Sequence, residues 1–152
     1  MKLAILSSGE RTVSWLSDIV HQIRPSRPSK TPSLLAIMRH VGPDTEVLSE
    51  VAQHEGWHVE IRTKHDAERR ERPSLILYDR ELDGVSGWRT QVENLAREYP
   101  ETPVILLSGD SDDQLWQEVI ELGGFDVLTR PLQRDRVVRW LQFALSTNAR
   151  QC

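Results

Sequence analysis

The chain has 152 residues, 38% of them hydrophobic and 28% charged, and a formal net charge of −4, which predicts an ordered domain with a buried core. The acidic balance disfavours nucleic acid as the main partner, because DNA-binding domains present basic surfaces, and no apolar run approaches the ~20 residues that span a membrane. The one cysteine, Cys152, can form no disulfide within the chain, so we expect a reducing, cytoplasmic location.

Residues 1–32 are predicted to form an N-terminal extension. The segment KLAIL is typical of a short strand, and Ser7 followed by Glu10 is a capping-box pattern that opens a helix. The helix has one apolar face: Val13, Leu16, Ile19, Val20 and Ile23. The proline-rich, basic segment RPSRPSKTPS then predicts an extended tether. Two interpretations stay open: the extension packs on or merely lengthens the main domain, or its apolar face contacts a second copy or another partner.

From residue 33 onward, apolar runs alternate with helical patterns. Strands are predicted at LLAIM (34–38) and WHVEIR (57–62). The helix between them carries four apolar residues at helical spacing: Val47, Leu48, Val51 and Ala52. The polar stretch HDAERRER (65–72) predicts a surface helix or turn. Its acidic and basic residues nearly balance, which favours a solvated face over RNA binding.

The second half of the chain has three more strands, each followed by a helix. LILY (75–78) and VILLS (104–108) are continuous apolar runs, typical of strands covered on both faces, and FDVLT (125–129) is the last strand. Helices are predicted between Trp88 and Tyr99, from a Ser111–Gln114 capping box to Gly123-Gly124, and after Pro131. The last helix has an apolar side: Val137, Val138, Leu141, Ala144 and Leu145.

This alternation predicts an α/β fold of the flavodoxin-like, doubly wound (βα)5 type, a three-layer sandwich around a parallel five-stranded sheet. In such sheets, ligands bind just beyond the carboxyl ends of the strands. The predicted strand ends carry the candidate site residues: Arg39, His40, Asp79, Ser108, Gly109, Arg130 and Pro131.

Residues 33–148 resemble the receiver domain of bacterial two-component response regulators, with residues 149–152 as a tail. Asp79, which follows an apolar strand and precedes a glycine-containing loop, matches the aspartate that accepts a phosphoryl group from a histidine kinase. The resemblance implies that Ser108 and Arg130 are phosphate-contact positions. In the segment LTRPL, it also implies that Pro131 follows a cis peptide bond.

The chain departs from the family pattern around the aspartate. The family's first strand ends in two acidic residues that help to bind Mg²⁺, and here these positions are Arg39 and His40. Arg130 replaces a lysine, Val127 stands in the place of the switch aromatic residue, and Asp83 replaces a proline. Oxygen-seeking Mg²⁺ is expected to bind poorly beside a guanidinium and an imidazole, so the resemblance implies a degenerate receiver without a bound metal.

Two interpretations of Asp79 follow from these departures. Asp79 is either a phosphoacceptor, for which Mg²⁺ would be needed, or the remnant of one, held in a permanent ion pair with Arg39 or Arg130. The ion pair would imitate a neutralised site without a phosphoryl group. Ser108 has a similar alternative, since a hydroxyl at a strand end can simply bond to nearby backbone.

The resemblance implies a signalling function rather than an enzymatic one. We expect a stand-alone receiver-like module in a two-component phosphorelay, acting by contact with a histidine kinase, an output protein or a second copy in a homodimer. The candidate interaction face carries Trp116, Val127 and Trp140, because tryptophan is enriched at binding hot spots. The alternatives are a functional receiver phosphorylated on Asp79, and a small flavodoxin-like enzyme or scaffold domain.

Overall fold

The computed structural model describes residues 31–64 and 71–151. Five strands lie in this part of the chain: β1 (Ser33–Ile37), β2 (His58–Arg62), β3 (Leu75–Asp79), β4 (Val104–Ser108) and β5 (Asp126–Thr129). The helices described are α1 (Pro43–His54), α2 (Gly84–Glu98), α3 (Asp113–Glu121) and α4 (Arg134–Gln151). The predicted strand and helix of the N-terminal extension and most of the polar stretch at 65–72 lie outside the described residues, and the predicted domain boundaries stay predictions.

The five strands form one parallel sheet in the order β2-β1-β3-β4-β5. This is the flavodoxin-like arrangement that the alternating pattern predicts. The chain first moves outward from β1 to β2, and then crosses back to β3 on the other side of β1. The carboxyl ends of β1 and β3 are therefore adjacent, with Ile37 opposite Tyr78. The residues that follow these two strands must lie close together.

The core has two parts, one on each face of the sheet. Along β1, Leu34 and Ala36 belong to one cluster, while Leu35 and Ile37 belong to the other. Side chains along a strand point alternately to opposite faces, so a continuous apolar run serves both clusters. Helices α1 and α4 cover the first cluster, and α2 and α3 cover the second. These are the three layers that the sequence predicts.

Two helix starts differ from the sequence prediction. Helix α2 begins at Gly84, four residues before the predicted Trp88. The buried Trp88 therefore lies inside the helix and not at its start. The predicted Ser111–Gln114 capping box at α3 is wrong by one residue. Asp112 is the N-cap, and its carboxylate accepts a hydrogen bond of 2.7 Å from the amide of Leu115. An aspartate is at least as good an N-cap as a serine.

The end of α3 follows the prediction, whereas one apolar position of α4 does not. Gly123 has a φ of 92° after the last helical residues, a conformation that favours glycine. A Cβ on Gly124 would lie 2.6 Å from Val119 Cγ1, so the chain passes too close to α3 for a side chain. In α4, Val137, Leu141 and Ala144 are buried as predicted. Leu145 is not on the buried side, being 43% exposed.

Candidate functional site

Asp79 ends β3 and is only 1% exposed. Its carboxylate accepts two backbone hydrogen bonds of 3.0 Å, from the amide of Glu81 to Oδ1 and from the amide of Arg39 to Oδ2. The second bond exists because β1 and β3 are neighbours in the sheet, and their ends meet at the same edge. Two backbone amides thus hold the carboxylate in place, independently of the side chains around it.

The guanidinium of Arg130 completes the surroundings of this carboxylate. Its Nη2 lies 2.5 Å from Asp79 Oδ2, and its Nε lies 3.1 Å from Oδ2 of Asp44, in the first turn of α1. The other oxygen of Asp44 accepts a hydrogen bond of 3.0 Å from the amide of Leu132. The peptide between Arg130 and Pro131 is cis, the isomer that the family resemblance implies. One guanidinium therefore bridges two carboxylates from different elements.

The ionisation of Asp79 follows from these contacts. Burial raises the pKa of its carboxyl, but the Arg130 guanidinium and the two backbone amides outweigh burial and hold the pKa below its ordinary value. Burial likewise acts to lower the pKa of Arg130, and its bonds to Asp79 and Asp44 reverse that effect. Both groups are charged near neutral pH, and Asp79 is one half of an ion pair.

Arg39 and His40 occupy the positions at which the family resemblance predicts an acidic pair. Arg39 gives Asp79 its backbone amide, and its guanidinium instead lies 3.8 Å from Glu81, with both side chains about half exposed. His40 is exposed and lines a cavity of about 160 Å³ with Asp44 and Asp79. Among the described residues, no group of three or more His, Cys, Asp or Glu side chains could hold a metal ion. Neither Arg39 nor His40 offers the carboxylate oxygen that Mg²⁺ prefers.

Ser108 ends β4 and is buried, and its hydroxyl is engaged by Arg80 and Asp110. Arg80 Nη1 donates to Ser108 Oγ at 3.1 Å and lies 3.2 Å from Asp110 Oδ1. Ser108 Oγ in turn donates to the same carboxylate oxygen at 3.4 Å. The Arg80 guanidinium also lies over the ring of Trp88, 5.7 Å from its centroid. The hydroxyl therefore has side-chain partners rather than the backbone alone.

Sequence reasoning missed Asp44 and Arg80, although both are essential to this geometry. Asp44 follows the helix-starting Pro43, where an acidic residue is ordinarily explained by the helix dipole alone. Arg80 directly follows Asp79, which was a usable signal, because a cation next to a strand-end carboxylate must lie near the site. No signal in the sequence connects Asp44 with Arg130, which lies 86 residues further along.

Residues 45–142 match the response regulator receiver domain family. The chain belongs to this family. A stretch of 78 residues is 33% identical to the nitrogen assimilation regulatory protein NtrX of Azorhizobium caulinodans. That stretch is 50% of this chain but only 17% of the NtrX relative, so the chain spans a small part of that protein's length.

Solved structures agree on the fold of this receiver domain. A response regulator of Thermotoga maritima superposes with a TM-score of 0.68 at 18% identity, over 76% of this chain and 98% of the other. NtrX of Brucella abortus, in a complex with ADP, gives a TM-score of 0.67 at 21% identity, over 80% of this chain and 28% of the other. Receiver domains are signalling modules that interact with histidine kinases and output domains. In the described part of this one, no helix is long and apolar enough to cross a membrane.

Asp83, at a position where the resemblance implies that proline is usual, accepts a hydrogen bond from Tyr78. The Tyr78 hydroxyl donates to the Asp83 carboxylate, and the tyrosine ring is completely buried. Burial, followed by this hydrogen bond and the negative charges of Asp83 and Asp79, raises the pKa of Tyr78 far above its ordinary value. The departure from proline thus gives the receiver domain a carboxylate that holds the loop after Asp79 against β3.

The candidate interaction face of the receiver domain is apolar and partly aromatic. Trp116 on α3 is 48% exposed, and Ile120 is exposed beside it. Trp140 and Val127 are half-buried, and the ring of Trp140 packs edge-on at 5.6 Å from both Phe125 and Phe143. Val127 has no ring that could move in response to Ser108. Trp116 lies on α3, Val127 on β5 and Trp140 on α4, so the three predicted face residues come from three different elements.

Proposed function

We propose that this receiver domain is an atypical one, with impaired Mg²⁺-dependent phosphorylation at Asp79, and that it signals by protein–protein contact. The observation that carries the proposal is the ion pair between Asp79 and Arg130, which Asp44 holds from the other side. The pair neutralises the carboxylate without a phosphoryl group. The domain then keeps one state without a kinase, and Asp79 is the remnant of a phosphoacceptor.

The surroundings of Asp79 disfavour a metal ion on electrostatic grounds. Mg²⁺ requires near-octahedral oxygen ligands, usually carboxylates and water. Here the guanidinium of Arg130 and two amides already occupy the Asp79 oxygens. Two unit charges of the same sign repel by about 4 kcal/mol at 4 Å and an effective dielectric constant of 20, and a divalent ion doubles this. The guanidinium of Arg39 adds to that repulsion. No metal cofactor is therefore proposed.

Without a metal ion, phosphoryl transfer to Asp79 would also lose the main group that neutralises charge in the transition state. In such reactions, a metal ion neutralises much of the charge on the transferring group. A phosphodonor would have to displace Arg130 before reaching the buried Asp79 carboxylate, and the Ser108 hydroxyl is already bonded to Arg80 and Asp110. Each of these contacts favours a silent site.

The exposed face supports contact with another protein, including a second copy. Exposed acidic residues lie on α3, at Asp113 and Glu121, while exposed basic residues lie on α4, at Arg136 and Arg139. A two-fold axis would bring the acidic helix of one copy to the basic helix of the other, around the apolar residues. Self-association is therefore the contact that can be measured with the purified chain alone. That the domain acts without an attached output domain stays a prediction.

The phosphorylation proposal is tested with acetyl phosphate and Mg²⁺, followed by intact-mass measurement. We expect no phosphoryl adduct on the natural sequence. The variant Arg39→Asp/His40→Asp/Arg130→Lys, which restores the family's residues, should gain one phosphoryl group. Adding Asp79→Asn to that variant should abolish the gain.

Circular dichroism of each variant checks that the fold is intact. Beryllofluoride, a phosphoryl mimic, provides a second readout through tryptophan fluorescence, and the natural sequence should not respond. A Mg²⁺-dependent phosphoryl adduct on the natural sequence, absent from Asp79→Asn, would show that the domain is a functional phosphoacceptor and that the proposal is wrong.

A further inference from the structure

Helix α3 buries little of its own surface. It spans nine residues, of which Leu115 and Val119 are buried, whereas α1 buries four residues of twelve. Two further apolar side chains of α3, Trp116 and Ile120, are exposed. A helix of this length is not stable alone and depends on contacts with the rest of the domain. The position of α3 is therefore sensitive to each contact that it makes.

An ion pair joins α3 to α2, the other helix that covers the same core cluster. Arg89 Nε donates to Glu118 Oε2 at 2.7 Å, and the two side chains are 44% and 30% exposed. The distance is typical of a charge-assisted hydrogen bond, which is stronger than a bond between neutral groups. Glu118 directly precedes the buried Val119, so the ion pair is made at the point where α3 meets the core.

Trp88 positions the guanidinium for this bond. Its ring is completely buried, and the Arg89 guanidinium lies over the ring, 4.7 Å from the centroid. The ring attracts a cation over its face. Because the ring is a fixed part of the core, the guanidinium loses less conformational freedom when it binds Glu118. The donor is therefore fixed on α2, while the acceptor belongs to a helix with little buried surface.

Helix α3 also carries part of the candidate interaction face. Glu118 lies between Trp116 and Ile120 along the helix, and both of these apolar side chains are exposed. A shift of α3 relative to α2 would move both side chains together. The contact at Glu118 therefore influences where the Trp116 ring lies relative to Trp140 on α4.

We propose that Arg89 and Glu118 form a salt-sensitive ionic lock that fixes α3 against α2 and so sets the position of Trp116 on the interaction face. When the lock opens, α3 loses its ionic contact with α2 and moves more freely on the core. The lock contains no atom of Asp79, so it is separate from phosphorylation chemistry. Its effect on signalling rests on the proposed function, whereas its effect on α3 does not.

Hydrogen exchange of the backbone amides, followed by NMR of the isotope-labelled full chain, tests the lock. Exchange reports the local opening of each element separately. Arg89→Gln should speed exchange in α3 by about two- to five-fold, the range expected when a partly exposed ion pair is lost. Exchange in α1 should not change. Glu118→Gln should have the same effect, and the double variant should add little to either, because both changes remove one contact.

Arg97→Gln is the matched control. Arg97 also lies on α2 and pairs with Glu93 at 2.9 Å, but both partners belong to the same helix. Exchange in α3 of this variant should equal that of the natural sequence. Raising NaCl from about 0.05 M to about 1 M weakens exposed ion pairs. It should speed α3 exchange relative to α1 in the natural sequence but not in Arg89→Gln, which simple packing of Arg89 on Trp88 would not produce.

Two exchange results would overturn the lock. One is α3 exchange in Arg89→Gln equal to that of the natural sequence. The other is equal acceleration in all four helices, which would trace the change to global stability. Sedimentation velocity tests the link to Trp116: Arg89→Gln should weaken self-association, and faster α3 exchange with unchanged association would refute that link. A natural sequence that does not self-associate counts against the proposed function alone, since the exchange data still decide on the lock.

Discussion

Replacing Asp79 by asparagine tests the ion pair directly, because the change removes the charge and keeps the size of the side chain. Breaking a buried ion pair by removing one partner typically costs 3–5 kcal/mol. The cost should be smaller here, since Arg130 is 23% exposed and keeps its contact with Asp44. The asparagine oxygen can also accept one of the two backbone hydrogen bonds. We therefore expect Asp79→Asn to lower the free energy of unfolding by about 2–3 kcal/mol.

The sign of this change separates two kinds of site. Where several carboxylates crowd together to hold a metal ion, removing one negative charge in the absence of metal relieves repulsion and stabilises the fold. At Asp79 the nearest charge is the Arg130 guanidinium, 2.5 Å away, so removal of the carboxylate leaves that cation without its partner. Destabilisation is the result expected of an ion pair.

The pH dependence gives a second check, with a definite direction. The folded pKa of Asp79 lies below its unfolded value, which is about 3.9 for an aspartate. The charged pair therefore contributes its full stability above the unfolded pKa, and the contribution is lost as the pH falls through the folded pKa. The difference between the natural sequence and Asp79→Asn should stay constant from about pH 8 to pH 5 and shrink only below about pH 4.

Urea denaturation followed by circular dichroism measures both quantities. With a slope of 1–3 kcal/mol per molar urea, the expected loss of about 2–3 kcal/mol moves the midpoint down by about 0.7–3 M. Asp110→Asn is the matched control: its carboxylate is 92% exposed, and its removal should change the unfolding free energy by less than about 0.5 kcal/mol. An Asp79→Asn variant as stable as the natural sequence at pH 7, or more stable, would refute the ion-pair reasoning.

Three further changes have outcomes that denaturation or sedimentation can measure. Arg130→Lys keeps the charge but cannot bridge Asp44 and Asp79 with a planar fork, so we expect a loss of roughly 1–2 kcal/mol in urea titrations. Gly124→Ala places a methyl group 2.6 Å from Val119 Cγ1 and 2.9 Å from the Val119 carbonyl oxygen, and the midpoint should report a loss of about 1–3 kcal/mol. Trp116→Ser should leave stability within about 0.5 kcal/mol of the natural value, since the side chain is 48% exposed. In sedimentation velocity at rising protein concentration, the same variant should show weaker self-association than the natural sequence, and equal association would remove Trp116 from the proposed interface.

The fold was predictable because its signals are local or periodic. LILY and VILLS lie in β3 and β4, both buried throughout, and a strand covered on two faces has no polar alternation to obscure it. Helix ends were less accurate where equally good caps compete. Asp112 rather than Ser111 caps α3, and both residue types favour that position.

The contacts of the site were only half predictable. That Asp79, Ser108 and Arg130 meet at one edge follows from the order of parallel strands, and the resemblance supplied that order. Which of two arginines would pair with Asp79 did not follow from the order. Arg39 is nearer along the sheet, yet its backbone rather than its guanidinium reaches the carboxylate. A side chain's direction depends on the whole set of neighbouring charges, and the decisive one, Asp44, comes from another element.

A strand-end carboxylate buried at the edge of a parallel sheet must be compensated by some cation, because an unpaired buried charge is costly. The resemblance to receivers implies a lysine at the position of Arg130 and a metal ion held by further acids. In this chain, Arg39 and His40 follow β1, and the cation beside Asp79 is Arg130, a covalent part of the domain. A bound ion comes and goes with its concentration, whereas a side chain fixed by Asp44 does not. The contact from α1 therefore matters for β3: Asp44 holds Arg130 in place, and Arg130 compensates the buried charge of Asp79.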